Sequence, residues 1–322
     1  MRPTMALEHR MIATNGIRLH CAVDGEGPLV ILLHGFPESW YSWRHQLAAL
    51  APSFRVVAPD MRGYNRSDKP SGVAAYALSE LVADVAGLIE AFGEREAVIV
   101  GHDWGGAVAW TFAMEHPEAT RRLVVMNCPH PAIFAQHLGT NRRQLARSWY
   151  MFFFQLPWLP EALLGLGHAR LIADAIRRIA VRQDSFTEED LLHLRAAACQ
   201  PGALRAGINY YRAAFRSPEA RALWPRWLRR FLYGDRPIEG LRERLEDWPR
   251  ISAPTLLVWG EQDVALGKEL SVGMEPLMAG PFEVKYIPLS GHWVQQEQPQ
   301  VVNGYLLDFL GDLAPAHAPA AV

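Results

Sequence analysis

The chain has 322 residues, half of them hydrophobic and 20% charged, with a formal net charge of −2; that supports a large core in one domain, or in a domain with an insertion. The balance gives no reason to expect a nucleic-acid partner, and Arg226, Arg229 and Arg230, the nearest thing to a basic cluster, read as a solvated helix face. Cys21, Cys128 and Cys199 form neither a Cys-x-x-Cys pair nor a zinc-type group, and no apolar run suits a signal peptide or a membrane span, so the expected location is a reducing one, the cytoplasm.

Arg10 to Ala13 and Ile17 to Val23 flank Asn15-Gly16, a strong hairpin signal, so the sheet is predicted to begin with antiparallel strands. Apolar runs at Leu29 to Leu33, Arg55 to Ala58, Ala97 to Val100 and Leu123 to Met126 then alternate with helical patterns near Ser79 to Phe92 and Trp104 to Glu115. That alternation predicts a mostly parallel sheet covered on both faces. Residues 131–248 are rich in Arg, Ala, Leu and aromatics at helical spacing, and Pro157, Pro160, Pro201, Pro218, Pro225 and Pro237 divide them into short helices. The α/β pattern resumes with strands at Thr255 to Trp259 and Glu283 to Pro288 and a helix at Val301 to Leu310. The expected organisation is an α/β core of residues 1–130 and 249–312, a helical insertion of 131–248, and a loose tail of 313–322.

Chemistry concentrates at Gly101-His-Asp-Trp-Gly-Gly106, between a strand and a helix. Asp103 stands where a nucleophile elbow normally carries serine, and a carboxylate there displaces a leaving group from saturated carbon to become an ester of the enzyme. On its own Asp103 reads equally well as a helix cap. Its companions change that reading. His34-Gly35-Phe36-Pro37 follows the strand Leu29 to Leu33, so Phe36 and Trp104 are placed as the two backbone N–H donors of an oxyanion hole. Asp263 follows the strand ending at Trp259 and His292 the strand ending near Pro288, which gives the chain order nucleophile, acid, base. Glu261 is the less favoured choice for the acid.

His34-Gly-Phe-Pro-Glu-Ser-Trp-Tyr-Ser-Trp43, Asp60-Met-Arg-Gly-Tyr64, Gly101 to Gly106, Trp259-Gly-Glu-Gln-Asp263 and Gly291-His292 together resemble the motifs of soluble-type epoxide hydrolases of the α/β-hydrolase superfamily. The resemblance spans residues 34 to 292 and is weak only in the insertion. It implies an α/β-hydrolase fold, a helical cap formed by the insertion, no metal or organic cofactor, and a small apolar epoxide as substrate. It also implies two cap tyrosines that donate to the epoxide oxygen. Ser148-Trp149-Tyr150 resembles the first site and Asn209-Tyr210-Tyr211-Arg212 the second, with Tyr211 in the position just before the arginine; adjacent helical residues point about 100° apart, so Tyr210 and Tyr211 cannot both face the substrate. Phe36, Trp40, Trp104, Trp149 and Phe152 to Phe154 are the aromatics available to line a pocket, Trp104 foremost.

The expected reaction is hydrolysis of an epoxide to a vicinal diol through an alkyl ester of Asp103, cleared by water that His292 activates and Asp263 orients. A haloalkane or haloacid dehalogenase shares this nucleophile, but neither the halide-binding asparagine nor the arginine after the aspartate is present, Phe36 and Trp104 standing at those positions. A non-catalytic ligand-binding protein of the same fold is the alternative of another class. Both monomer and homodimer are compatible with the sequence.

Overall fold

The computed structural model describes residues 7–217 and 244–315; Pro218, Pro225, Pro237, Arg226, Arg229, Arg230 and residues 316–322 of the expected tail lie outside them. β1 (Glu8–Thr14) and β2 (Ile17–Asp24) form the antiparallel hairpin. Thr14 faces Ile17 across Asn15 and Gly16, whose φ values of 42° and 73° suit a tight two-residue turn. β3 (Leu29–Leu33), β4 (Arg55–Pro59), β5 (Ala97–His102), β6 (Thr120–Met126), β7 (Thr255–Gly260) and β8 (Phe282–Ile287) run parallel to one another, in the sheet order β1-β2-β4-β3-β5-β6-β7-β8.

Helices cover both faces. α1 (Arg44–Leu50), absent from the sequence reading, follows β3, α2 (Leu78–Ala91) follows β4, and α3 (Trp104–Glu115) follows β5. Ile31, Leu33, Ile99, Val125 and Leu257 turn toward α2 and α3, where Val82, Val85, Val108 and Phe112 meet them. Val30, Leu32, Val98, Val100, Val124 and Leu256 turn the other way, onto Leu47 and Leu50 of α1 and Val302 and Leu306 near the C-terminus. Burial on both faces explains why these strands read as unbroken apolar runs rather than as alternating ones.

Between β6 and β7 the described residues carry helices and no strand: α4 (Pro131–Thr140), α5 (Arg142–Arg147), α6 (Trp149–Phe153), α7 (Leu159–Ile179), α8 (Glu188–Ala198) and α9 (Ala203–Phe215). Pro160 sits in the first turn of α7, Pro157 precedes that helix and Pro201 precedes α9. α7 breaks at Leu166–Ala169, where Gly167, His168 and Ala169 are left-handed. After β8 come α10 (Val294–Glu297) and α11 (Pro299–Leu310), and beyond them Leu313 and Ala314 still pack on the sheet. No helix among the described residues is long and apolar enough to cross a membrane.

β4 lies on one side of β3 and β5 on the other, so the connections after β3 and β5 leave the sheet in opposite directions and open a crevice at their C-terminal ends. The pairing of Leu33 with Gly101 sets the loop after β3 beside the turn into α3. That approach is close. A Cβ added at Gly105 would lie 2.0 Å from the Leu33 carbonyl oxygen, so only glycine lets α3 come this near to β3. Gly105→Ala is expected to lower stability by about 2–3 kcal/mol through overpacking, read as a lower urea midpoint at unchanged slope; an unmoved midpoint would show that helix and strand part freely.

Candidate active site

Asp103 occupies the turn between β5 and α3 with φ 51° and ψ −119°. A non-glycine residue in this region stores about 1–3 kcal/mol of strain and persists only where its surroundings hold it. Here the Asp103 N–H donates to the Met126 carbonyl at 3.3 Å while its own carbonyl receives the Ala107 N–H at 3.0 Å. The carboxylate makes no cap bond to α3, so the helix-cap reading does not describe it. Instead Oδ1 accepts the Phe36 N–H at 2.8 Å. The Trp104 N–H opens α3 and is one of the first-turn amides that have no partner inside a helix. Gly35 makes the approach between the two loops possible, because a Cβ there would stand 2.5 Å from that of Asp103.

Asp263 and His292 arrive from the loops after β7 and β8. His292 Nδ1 lies 2.7 Å from Asp263 Oδ2 and Nε2 lies 3.6 Å from Asp103 Oδ2, with the imidazole side chain 7% exposed and Asp263 fully buried. Asp263 Oδ1 also accepts the N–H groups of Ala265 and Leu266 at 2.7 and 2.9 Å. Asn127, at the end of β6 with φ 41°, donates Nδ2 to Asp263 Oδ2 at 2.8 Å and accepts the Gly260 N–H at 2.9 Å. Glu261 instead pairs with Lys268 at 2.5 Å, so the structure sets Asp263 and not Glu261 against the histidine.

Burial alone works against all three charges, raising both carboxyls and lowering the imidazole. It is outweighed in each case. His292, the histidine at 102 and the Phe36 N–H bring Asp103 below the usual aspartate value. His292, the Leu266 N–H and Asn127 bring Asp263 below it too, and the two aspartates carry His292 well above the usual histidine value. The two carboxylates thus favour the imidazolium form of His292, and His292 favours their ionised forms.

A second buried network, to which sequence reading assigned no role, lies behind the first. Glu38 Oε2 faces His102 Nδ1 at 2.9 Å and accepts the Gly35 N–H at 3.1 Å, while Oε1 accepts from Ser42 Oγ at 2.7 Å and Gln296 Nε2 at 2.8 Å. His102 Nε2 in turn donates to the His292 carbonyl at 2.9 Å. The signals were on the page, since Glu38 and His102 both stand in the quoted motifs, yet their partners lie 64 and 190 positions apart in the chain.

Tyr150 on α6 and Tyr211 on α9 meet edge to face, ring centres 5.8 Å apart. Tyr211 also packs edge-on against Phe36 at 5.4 Å and Trp104 at 5.0 Å, which sets it over the elbow. Burial, and after it the Asp103 charge, pushes both phenols well above the usual tyrosine value, so both are protonated donors. Tyr210 is turned away: its hydroxyl donates to the Arg62 carbonyl at 2.8 Å within the core. Phe36, Trp104, Phe154 and Ile208 surround Tyr150 and Tyr211 as one apolar cluster. Only some of the other candidate aromatics face this cluster. Trp149 and Phe152 lie on the outer side of their helix, 64% and 50% exposed, and Trp40 packs edge-on against His9 and on the opposite sheet face. Among the described residues no group of three or more His, Cys, Asp or Glu side chains is arranged to hold a metal ion.

The α/β hydrolase fold family model matches residues 28–299. The chain is 38% identical over 302 residues to "Epoxide hydrolase 3" of Xenopus tropicalis, covering 92% of this chain and 75% of that protein. It is 36% identical to "AB hydrolase superfamily protein YfhM" of Bacillus subtilis, over 94% of this chain and 97% of that one. A Bacillus megaterium epoxide hydrolase solved with an inhibitor superposes with TM-score 0.80 at 30% identity, over 94% of this chain and all of the other. With the aspartate elbow, its histidine and the two inward tyrosines in place, the chain belongs to the α/β-hydrolase fold family and, within it, to the epoxide hydrolases.

Proposed function

We propose that the protein converts an epoxide to a vicinal diol in two half-reactions through an ester of Asp103. In the first, Asp103 Oδ2 attacks an oxirane carbon, the carbon–oxygen bond breaks, and the departing alkoxide takes a proton from Tyr150 or Tyr211. In the second, His292, once its proton has passed through solvent to the tyrosinate, removes a proton from water, whose oxygen attacks the ester carbonyl carbon; the imidazolium returns that proton to the departing alkoxide to complete the diol, and the proton left on the Asp103 carboxyl passes back to His292. Oδ1 already accepts the Phe36 N–H, which suits it to become the oxyanion, with the Trp104 amide as second donor. Oδ2, on the His292 side, is left as the nucleophile.

The observation that carries this reading is the pair of protonated phenols above an ionised aspartate, because an alkoxide is a poor leaving group unless an acid meets its charge as it forms. The electrostatics also order the two steps. Esterification removes the Asp103 charge, one of the influences holding His292 in its imidazolium form. The imidazole pKa then falls, so its neutral form, the one able to take a proton, becomes available when a base is needed. Residues 131–248 are read as a lid over the core segments 1–130 and 249–312. The apolar cluster around the tyrosines suits a small apolar epoxide, and three free cysteines suit a reducing compartment such as the cytoplasm. One chain supplies every group named, so a monomer or a homodimer serves equally.

Offered a styrene-type epoxide and a haloalkane, the protein is expected to form diol and release no halide, and Asp103→Asn to do neither; halide release without diol would replace the proposal with dehalogenation. Tyr150→Phe and Tyr211→Phe should each lower kcat/KM by about 10²-fold or more, seen in diol formation, whereas Tyr210→Phe should leave it within a few-fold. His292→Gln should let the ester accumulate, visible as an intact-mass increase equal to the substrate. A catalytically turned-over substrate that never shifts the mass would point to direct water attack.

A further inference from the structure

Glu297, the last residue of α10, is 1% exposed, and among the described residues no cationic side chain pairs with it. Its carboxylate is satisfied by backbone N–H groups alone, and they come from two places. Gly291 donates to both oxygens at 3.2 and 3.1 Å and Trp293 to Oε1 at 3.3 Å, so the amides on either side of His292 are held. Val181 and Arg182, just past the end of α7, donate to Oε2 at 2.9 and 3.1 Å. A carboxylate offers about four acceptor directions, and here they are filled by the histidine loop and the helical insertion together.

The surroundings extend the same junction. Ser185 Oγ donates to the Glu297 carbonyl at 3.2 Å, Phe186 meets the Trp293 ring edge-on at 6.1 Å, and Trp293 packs into the cluster of Ile172, Ile176 and Ala180. With the His292 carbonyl bound by His102, the backbone on both sides of the imidazole is pinned by partners outside its own loop.

We propose that Glu297 is a positioning residue: by accepting N–H groups from both segments it makes the orientation of His292 depend on how the helical insertion is seated, and so governs the water-attack half of the reaction. The inference rests on the two-step reading above. Alkylation needs Asp103 and the tyrosines, none of which Glu297 touches. Ester hydrolysis needs an imidazole aimed at the carbonyl, and a misplacement of the order of 1 Å costs about 10²-fold in such a step.

The test separates the two halves by rapid mixing with a styrene-type epoxide, following diol and the intact mass of the full chain. Glu297→Gln keeps the shape but sets an NH₂ donor against backbone N–H groups. It is expected to alkylate within a few-fold of the parent rate and to clear the ester about 10- to 100-fold more slowly, so that ester-bearing protein accumulates. Val181→Pro removes one donor on the insertion side only, following Ala180, whose ψ of 134° already suits a residue before proline; it should accumulate ester to a smaller extent, and it decides the matter alone if Glu297→Gln fails to fold. Equal slowing of both halves in Glu297→Gln would reduce the residue to general support and overturn the proposal. Parent-like partitioning in Val181→Pro would overturn the link to the insertion. His292→Gln, run alongside, keeps the failures distinct: if it too shows no mass shift, the covalent reading itself fails.

Discussion

Enclosing a carboxylate in a protein costs several kcal/mol unless its oxygens find compensating donors and charges. At Asp103 compensation comes from His292, from the charge of the buried His102 and from the Phe36 N–H. Each draws in further structure. The Phe36 amide is in place because Gly35 packs against Asp103 and is itself bound by Glu38; His292 is in place because Asp263 faces its other nitrogen; and Asp263 is held in turn by Asn127 and two loop amides. The buried polar groups thus form connected sets in which each charge is a condition for its neighbour.

The division of labour follows the architecture. The loops at the C-terminal ends of β3, β5, β7 and β8 bring Phe36, Asp103, Asp263 and His292 together, on elements whose spacing the strand register holds. The helices between β6 and β7 bring Tyr150 and Tyr211 into one apolar cluster with Phe36 and Trp104. In the proposed reaction, chemistry on the ester falls to the first set and chemistry on the leaving oxygen to the second.

Much of the core was legible in the sequence because its physics is local. Strands buried on both faces write apolar runs, Asn15-Gly16 writes a hairpin, and glycines flanking Asp103 mark a turn that only small residues permit. The order of Asp103, Asp263 and His292 could be read because each follows a strand. Glu38, His102 and Glu297 were not legible as partners, for they are ordinary polar residues whose contacts depend on chain segments brought together by the fold. The aromatic run from Trp149 to Phe154 was ambiguous for another reason: its composition is apolar on all sides of the helix, and only packing decides that Tyr150 and Phe154 face inward while Trp149 and Phe152 do not.

Tyr210 donates to the Arg62 carbonyl, and Arg62 is itself held by a buried two-pronged pair with Asp84 at 2.6 and 2.7 Å. The rotation of α9 is therefore fixed from the core side, independently of whatever fills the space beneath Tyr211. What surrounds Tyr211 and what holds its helix become separable properties: a substitution at Ile208 or Phe154 changes the apolar neighbours of that ring, while the Tyr210 anchor keeps α9 in the same rotation.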